Sequence, residues 1–298
     1  HEAAAALCRK LGMRSCKELR EAKKVQVMGK GLTGAELALL GTLGSVLPAL
    51  EELIFISIWC PLRTTHPDGL RRLFEGLGAG ALPAMTELNL RAIHTGDAGA
   101  SALAAALGRG ALPRLKSLAL SYTAIGDAGL VALAPALQRL PTLESLDLQG
   151  NPLGDEGIAA LVAPPPAGAL PPPTGVLANL IILHPMRFPT AGALANLIGL
   201  DLSHTQVADA GCATLAAAIG SGALPALDRL DLEGIPASAA AVVAVREALD
   251  TERRKAEAAA VKAKELRATL DAELQATNPN PDPNPNPNPN PNPNPNPN

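Results

Sequence analysis

The sequence predicts a curved α/β solenoid, with a parallel sheet along its concave side and helices along its convex side. Three observations lead there. The chain repeats itself: MTELNLRAIHTGDAGASALAAAL (85–107), LPRLKSLALSYTAIGDAGLVALAPAL (112–137), LPTLESLDLQGNPLGDEGIAALV (140–162) and ANLIGLDLSHTQVADAGCATLAAAI (195–219) follow one plan. Within each copy the apolar residues first alternate, as LxxLxL, and then recur at helical spacing, as in GASALAAAL. Aromatic residues make up only 2% of the chain against 47% hydrophobic residues overall, so the core has to come from Ala, Leu, Val and Ile, which suit thin layers. A strand–turn–helix of about 28 residues cannot bury its apolar face alone, and stacking copies solves this. Helices are about 10 Å wide and strands about 4.8 Å apart, so such a stack bends with the sheet inside.

The elements follow in chain order. Residues 1–21, HEAAAALCRKLGMRSCKELRE, read as an N-terminal capping helix, with a piece of a preceding domain as the alternative. Residues 1–30 carry a net charge of +5, which is a solvated cationic face or a contact for an acidic partner or membrane surface. The repeats occupy 22–249, about seven to eight of them, irregular at 59–77 and 163–197. The last apolar residue of each LxxLxL gives Val27, Phe55, Leu90, Leu120, Leu148, Leu202 and Leu232, spaced by 28, 35, 30, 28, 54 and 30 residues. The spacing of 54 predicts a degenerate copy between Leu148 and Leu202. The run WCPLRTTHPDGLRRLFEGL (59–77) predicts a protruding loop before its helix. Residues 163–197 contain two runs of three prolines, at 164–166 and 171–173, which predict a loop. The phrase LANLI occurs twice, at 177–181 and 194–198, so 181–197 reads as an in-frame insertion.

Asp97, Asp127, Asp155 and Asp209 each stand two residues before a Gly, where they are placed to cap their own helices. Gly99, Gly129, Gly157 and Gly211 then leave room for helix–strand contact. Residues 238–276 read as a helix. Its part over 250–277 is charged, with an apolar stripe of Leu266, Leu270 and Leu274 that serves a solvated cap or a coiled-coil contact. Residues 278–298 are Asn-Pro repeats with no core-forming side chain, a disordered tail.

The motifs LKSLALSYTAIGDAGLVAL, LESLDLQGNPLGDEGIAAL and LIGLDLSHTQVADAGCATL resemble the leucine-rich repeat family, in its long, ribonuclease-inhibitor-like class, over roughly 22–249. The resemblance implies a horseshoe solenoid. It is specific for fold and not for function; proteins similar in repeat class activate small GTPases or sense ligands beside a nucleotide-binding domain. The family's turn position carries Asn or Cys. Here it holds Ile93, Thr123, Asn151, Thr205 and Ile235, so the ladder of turn hydrogen bonds is expected to be incomplete.

No catalytic constellation, cofactor or metal motif emerges. GKGLTG (29–34) lacks the spacing of a phosphate loop, and the five histidines show no ligand spacing. Cys212 aligns with Ala100, Leu130 and Ile158 and reads as a core thiol. Four cysteines without a CxxC pair fit a reducing, cytoplasmic setting rather than a disulfide framework or zinc. A net charge of −3 argues against a nucleic-acid binder, and the apolar stretch 176–202, broken by His184, Pro185 and Arg187, argues against a membrane span.

What remains is surface. Residues between the strand leucines form columns on the concave side: Gln26, Ile54, Asn89, Ala119, Asp147, Asp201 and Asp231, then Met28, Ile56, Arg91, Ser121, Gln149, Ser203 and Glu233, flanked by Tyr122 and His204. The face is apolar at Ile54 and Ile56 and acidic at Asp147, Asp201, Asp231 and Glu233, with Arg229 as a local counter-charge. The reading is a non-enzymatic, monomeric module that binds a protein with a basic surface at Ile54, Ile56, Asn89, Arg91, Tyr122, Asp147, Gln149, Asp201, His204, Asp231 and Glu233. A regulatory subunit or GTPase activator, and a structural assembly subunit, are the alternatives.

Overall fold

The computed structural model describes residues 2–28, 32–56, 67–164 and 194–277. Its centre is one sheet of seven parallel strands in sequence order. The strands are β1 (Lys24–Met28), β2 (Glu52–Ile56), β3 (Glu87–Asn89), β4 (Ser117–Ala119), β5 (Ser145–Asp147), β6 (Gly199–Asp201) and β7 (Arg229–Asp231). The helices that follow β1 to β6 are α3 (Gly34–Thr42), α4 (Pro67–Gly76), α5 (Gly96–Gly108), α6 (Asp127–Leu137), α7 (Asp155–Val162) and α8 (Asp209–Gly220). Strand pairs with strand and helix packs on helix in strict succession, which is an α/β solenoid.

Two compact units divide the chain, His1–Arg253 and Arg254–Asn298. The first holds the sheet. The long helix α9 (Ala239–Thr277) begins there, where Val245 and Leu249 are buried. Within the second unit Val261, Leu266 and Leu270 are exposed. The expected stripe is therefore open at Leu266 and Leu270, and the side chain of Leu274 lies outside the described residues, as does the Asn-Pro tail. No helix among the described residues is long and apolar enough to cross a membrane.

The three leucines of each LxxLxL do one job in every layer. Leu115, Leu118 and Leu120, then Leu143, Leu146 and Leu148, are at most 1% exposed, while their neighbours on the strands are half-buried. Each such side chain contributes about 1.5–3 kcal/mol by leaving water. The helices meet them with small residues: Ala100, Leu103, Ala106 and Leu107 of α5 are buried at helical spacing.

The N-terminal stretch is two helices rather than one, α1 (Glu2–Lys10) and α2 (Cys16–Glu21). Gly12, at φ +79°, turns the chain between them, and the Ser15 side chain accepts the Glu18 N–H to start α2. Leu7, Cys8 and Leu19 join the core.

The expected degenerate copy between Leu148 and Leu202 adds no strand to the sheet. β5 pairs directly with β6, Leu146 against Leu200 and Asp147 against Asp201, so no edge is left for another strand between them. The second LANLI supplies the layer: Leu194 and Leu197 are buried, and Asn196 Nδ2 donates to the Pro141 carbonyl. Residues 181–193 of the proposed insertion, and residues 59–66 of the irregular run 59–77 ahead of α4, lie outside the described residues.

The aspartates that lead each helix do not cap their own. Asp97 Oδ1 accepts the Gly126 N–H at 2.7 Å, Asp155 Oδ1 accepts that of Ala208 at 2.8 Å, and Asp209 Oδ1 accepts that of Ser238 at 2.6 Å. Asp127 Oδ1 accepts two, from Gly154 at 2.7 Å and Gly157 at 2.8 Å. Gly126, Gly154 and Ala208 are the residues that start the next helix, so each carboxylate caps the following repeat. Gly129, Gly157 and Gly211 serve the same joint rather than a helix–strand contact, while Gly99 faces Thr95 of its own repeat. A Cβ on Gly129 would fall 2.5 Å from Asp97 Oδ1, and one on Gly157 would fall 2.7 Å from Asp127 Oδ1. The helix C-termini are stitched too, by Arg109 on the Phe74 and Leu77 carbonyls and by Gln138 on those of Ala160, Leu161 and Ala163.

Candidate functional site

The open face of the sheet carries the predicted column in perfect register: Gln26, Ile54, Asn89, Ala119, Asp147, Asp201 and Asp231 are successive partners on neighbouring strands. Ile54, Asn89, Asp147 and Asp201 are half-buried and Asp231 is exposed. Parallel pairing in register is what brings residues 30 or 54 apart in sequence to strand-to-strand distance, about 4.8 Å.

The column also has a structural duty that the sequence reading missed. Asn89 Oδ1 accepts the Arg91 N–H, and Asp147, Asp201 and Asp231 Oδ1 accept those of Gln149, Ser203 and Glu233, all between 2.9 and 3.1 Å. Each side chain closes the turn that ends its own strand. The signal was the pairing of Asn or Asp with a residue two places on, repeated four times. Ala119 breaks the series. Ser203 Oγ donates to Asp201, whereas the buried Ser121 Oγ, two steps back along the second column, has no partner among the described residues. The second column is thus mixed: Arg91 and Glu233 are exposed, Gln149 is half-buried, and Ser121 and Ser203 are buried.

One oxygen of each aspartate is spent on the backbone. No ion pair reaches Asp147, Asp201, Asp231 or Glu233 among the described residues, and Arg229 pairs with none of them. Ion pairs are made instead on the neighbouring rows, Lys24–Glu52, Lys23–Glu51 at 2.9 Å and Lys116–Glu144 at 2.8 Å.

A cleft of about 760 Å³ opens over β5 to β7. Its floor includes Asp147, Asp201 and Asp231, and its wall includes Arg246, Asp250 and Arg253 from the first part of α9. Arg253 is committed to Asp228 and Asp250. The last part of the face is therefore acidic with an arginine border from α9, in addition to the Arg229 counter-charge that the sequence suggested. α9 supplies that border from outside the repeat pattern.

At the other rim, Arg91, Tyr122 and Gln149 converge. The Arg91 guanidinium lies 5.6 Å from the Tyr122 ring centre and donates to Gln149 Oε1 at 3.3 Å. Tyr122 is 46% exposed and its ring lies flat over Gly150, where any Cβ would collide with it. His204 lies over Gly234 in the same manner, beside Glu233. Tyr122 and His204 hold φ +56° and +55°, a left-handed conformation that costs a non-glycine residue about 1–2 kcal/mol. The next layer accommodates their bulk with glycine. Ile56 sits at the end of β2 opposite Met28, and both side chains, like Trp59, lie outside the described residues.

The turn position behaves as its residues allow. Asn151 Oδ1 accepts the N–H of Thr123 at 3.1 Å and of Ile125 at 3.0 Å, while Nδ2 donates to the carbonyls of Leu120 and Leu148 at 2.7 and 2.9 Å. The Thr205 hydroxyl donates to the Leu202 carbonyl of its own repeat, while the Thr123 hydroxyl has both the Leu120 carbonyl of its own repeat and Asn151 Oδ1 of the next within hydrogen-bond reach. Cys212 is fully buried, and burial, then the charges of Asp209 and Asp155, pushes its thiol up. Among the described residues no group of three or more His, Cys, Asp or Glu could hold a metal ion.

The family model for the leucine rich repeat matches residues 112–134 and 139–162, the layers around β4 and β5. Among solved structures, the chain is similar to actin-binding site 2 of leiomodin-1, at 20% identity over 64% of this chain and 90% of that one, with a TM-score of 0.41. It is also similar to an internalin of Listeria monocytogenes, at 16% identity over 82% of this chain and 91% of that one, with a TM-score of 0.17. No curated protein matches the sequence.

Proposed function

We propose that this leucine-rich-repeat solenoid is a non-enzymatic protein-binding module that receives its partner on the open face of the sheet. The aspartate column carries the reading: Asp147, Asp201 and Asp231 stand in register on adjacent strands with no ion pair among the described residues. Like charges held so close attract a basic partner surface and steer its approach. The Arg91–Tyr122 rim adds the residue types that dominate interface energetics. Parallel pairing fixes the surface in advance, so little ordering cost accompanies binding. The 28- and 30-residue periods with a helix in every unit support the ribonuclease-inhibitor-like class, and free thiols at Cys8, Cys16 and Cys212 support a cytoplasmic setting.

Asparagine already does the column's structural work at Asn89, which suggests the test. A variant with Asp147→Asn, Asp201→Asn and Asp231→Asn keeps every backbone acceptor and removes three charges. Against basic peptides selected on the wild type, it is expected to bind about tenfold or more weakly, chiefly through slower association at low salt, with unchanged thermal stability. Neutralising the exposed Glu156 on α7 leaves binding as it was. Equal affinity of the triple variant and wild type rejects the column as the site.

A further inference from the structure

Two cysteines that the binding face does not use are brought together at the start of the chain. Cys8 lies in α1 and Cys16 opens α2, and their sulfurs are 3.4 Å apart, with the Cys8 thiol donating to Cys16. Both are free; Cys8 is 2% exposed and Cys16 is exposed. Backbone structure holds them there: the Met13 N–H returns to the Cys8 carbonyl at 2.8 Å, Gly12 makes the turn, and Ser15 caps α2 directly before Cys16. Such proximity of a buried and an accessible thiol is the arrangement of an attacking and a resolving pair.

We propose that Cys8 and Cys16 form a thiol–disulfide exchange site that closes into an intrachain disulfide by reaction with a small disulfide of the glutathione class. The accessible Cys16, as thiolate, attacks one sulfur of oxidised glutathione. A Cys16–glutathione bond forms, the glutathione S–S bond breaks, and one glutathione leaves as thiolate and takes up a proton. Cys8 then gives its proton to solvent and attacks Cys16 Sγ. The Cys8–Cys16 bond forms, the mixed disulfide breaks, and the second glutathione leaves. Two protein thiols are oxidised by two electrons and one glutathione disulfide is reduced to two thiols.

Geometry sets the order of attack. Cys16 meets solvent, while burial, with a further contribution from Cys16, pushes the Cys8 thiol up to about 11. Cys8 therefore reacts only with a sulfur already delivered beside it. Cys212 has no such neighbour among the described residues and lies fully buried in the core. Closure ties α1 to α2, whose Leu7 and Leu19 belong to the core.

The test uses the full chain in glutathione buffers of graded oxidation, with acid quenching, maleimide capping and mapping of linked peptides. The expected product in oxidising buffer is a Cys8–Cys16 linked peptide lacking two hydrogens, reversed by reduced glutathione, with Cys212 capped as a thiol. In Cys8→Ser the Cys16–glutathione adduct should accumulate instead, because nothing resolves it. Amide exchange in α1 and α2 should slow on closure. Wild-type protein in which Cys16 holds glutathione while Cys8 stays a thiol overturns the proposal. So does a pair that stays reduced in buffer that oxidises a control dithiol.

Discussion

Replacing Asn151 by alanine is expected to lower the stability of the fold by about 4 kcal/mol, near the upper end for a single substitution. The side chain is 1% exposed and serves two layers at once. Its removal orphans the N–H groups of Thr123 and Ile125 and deprives the Leu120 and Leu148 carbonyls of a donor. Each buried group left without a partner costs about 1–3 kcal/mol. Denaturant unfolding of Asn151→Ala should show a lower midpoint. Thr205→Val is the contrast: its hydroxyl makes one bond within its own repeat, so about 1 kcal/mol is expected. Equal losses at the two sites would show that Asn151 does not bridge layers.

The second large effect concerns the Asp–Gly joints. Gly157→Ala should cost about 2–3 kcal/mol, because the new methyl group meets Asp127 Oδ1 at 2.7 Å and Leu130 at 3.1 Å. Asp127→Ala should cost about 1–3 kcal/mol by leaving the N–H groups of Gly154 and Gly157 without their acceptor. The two losses should not add. Once the carboxylate is gone the methyl group has room, so the double variant should be more stable than the sum by about 1–2 kcal/mol. Unfolding free energies of the four proteins close this cycle. Simple additivity would mean that the aspartate and the glycine of adjoining repeats do not form one joint.

These joints also show where sequence reading reaches its limit. The strand leucines were legible because the alternation of LxxLxL has one physical cause, a strand with one face in the core. The open-face column was legible for the same reason, since its members lie between those leucines and identical strands stack in register. The partner of Asp127 was not. Spacing placed it at a helix start, but only the offset between stacked layers decides that it caps the next helix rather than its own. The arginine border of the cleft was hidden because α9 lies outside the period. The doubled spacing between Leu148 and Leu202 misled for a related reason: length alone cannot tell an added layer from a segment that leaves the sheet. Cys8 and Cys16 were eight residues apart on what read as one helix, and the break at Gly12 is what turns them together.

Everything proposed for the open face depends on its strands being one uninterrupted, in-register sheet, above all where β5 meets β6 across 54 residues of chain. Paired cysteines at positions 147 and 201, made by Asp147→Cys and Asp201→Cys, test this with a dithiol reagent short enough to join neighbouring strands, about 5 Å apart. Rapid intrachain cross-linking of this pair is expected, with slow or absent linking of Asp147→Cys to Asp231→Cys, two strands away at about 10 Å. The reverse preference, or no linking at 147 and 201, would mean that β6 does not lie beside β5 and that the aspartate column does not exist as a surface.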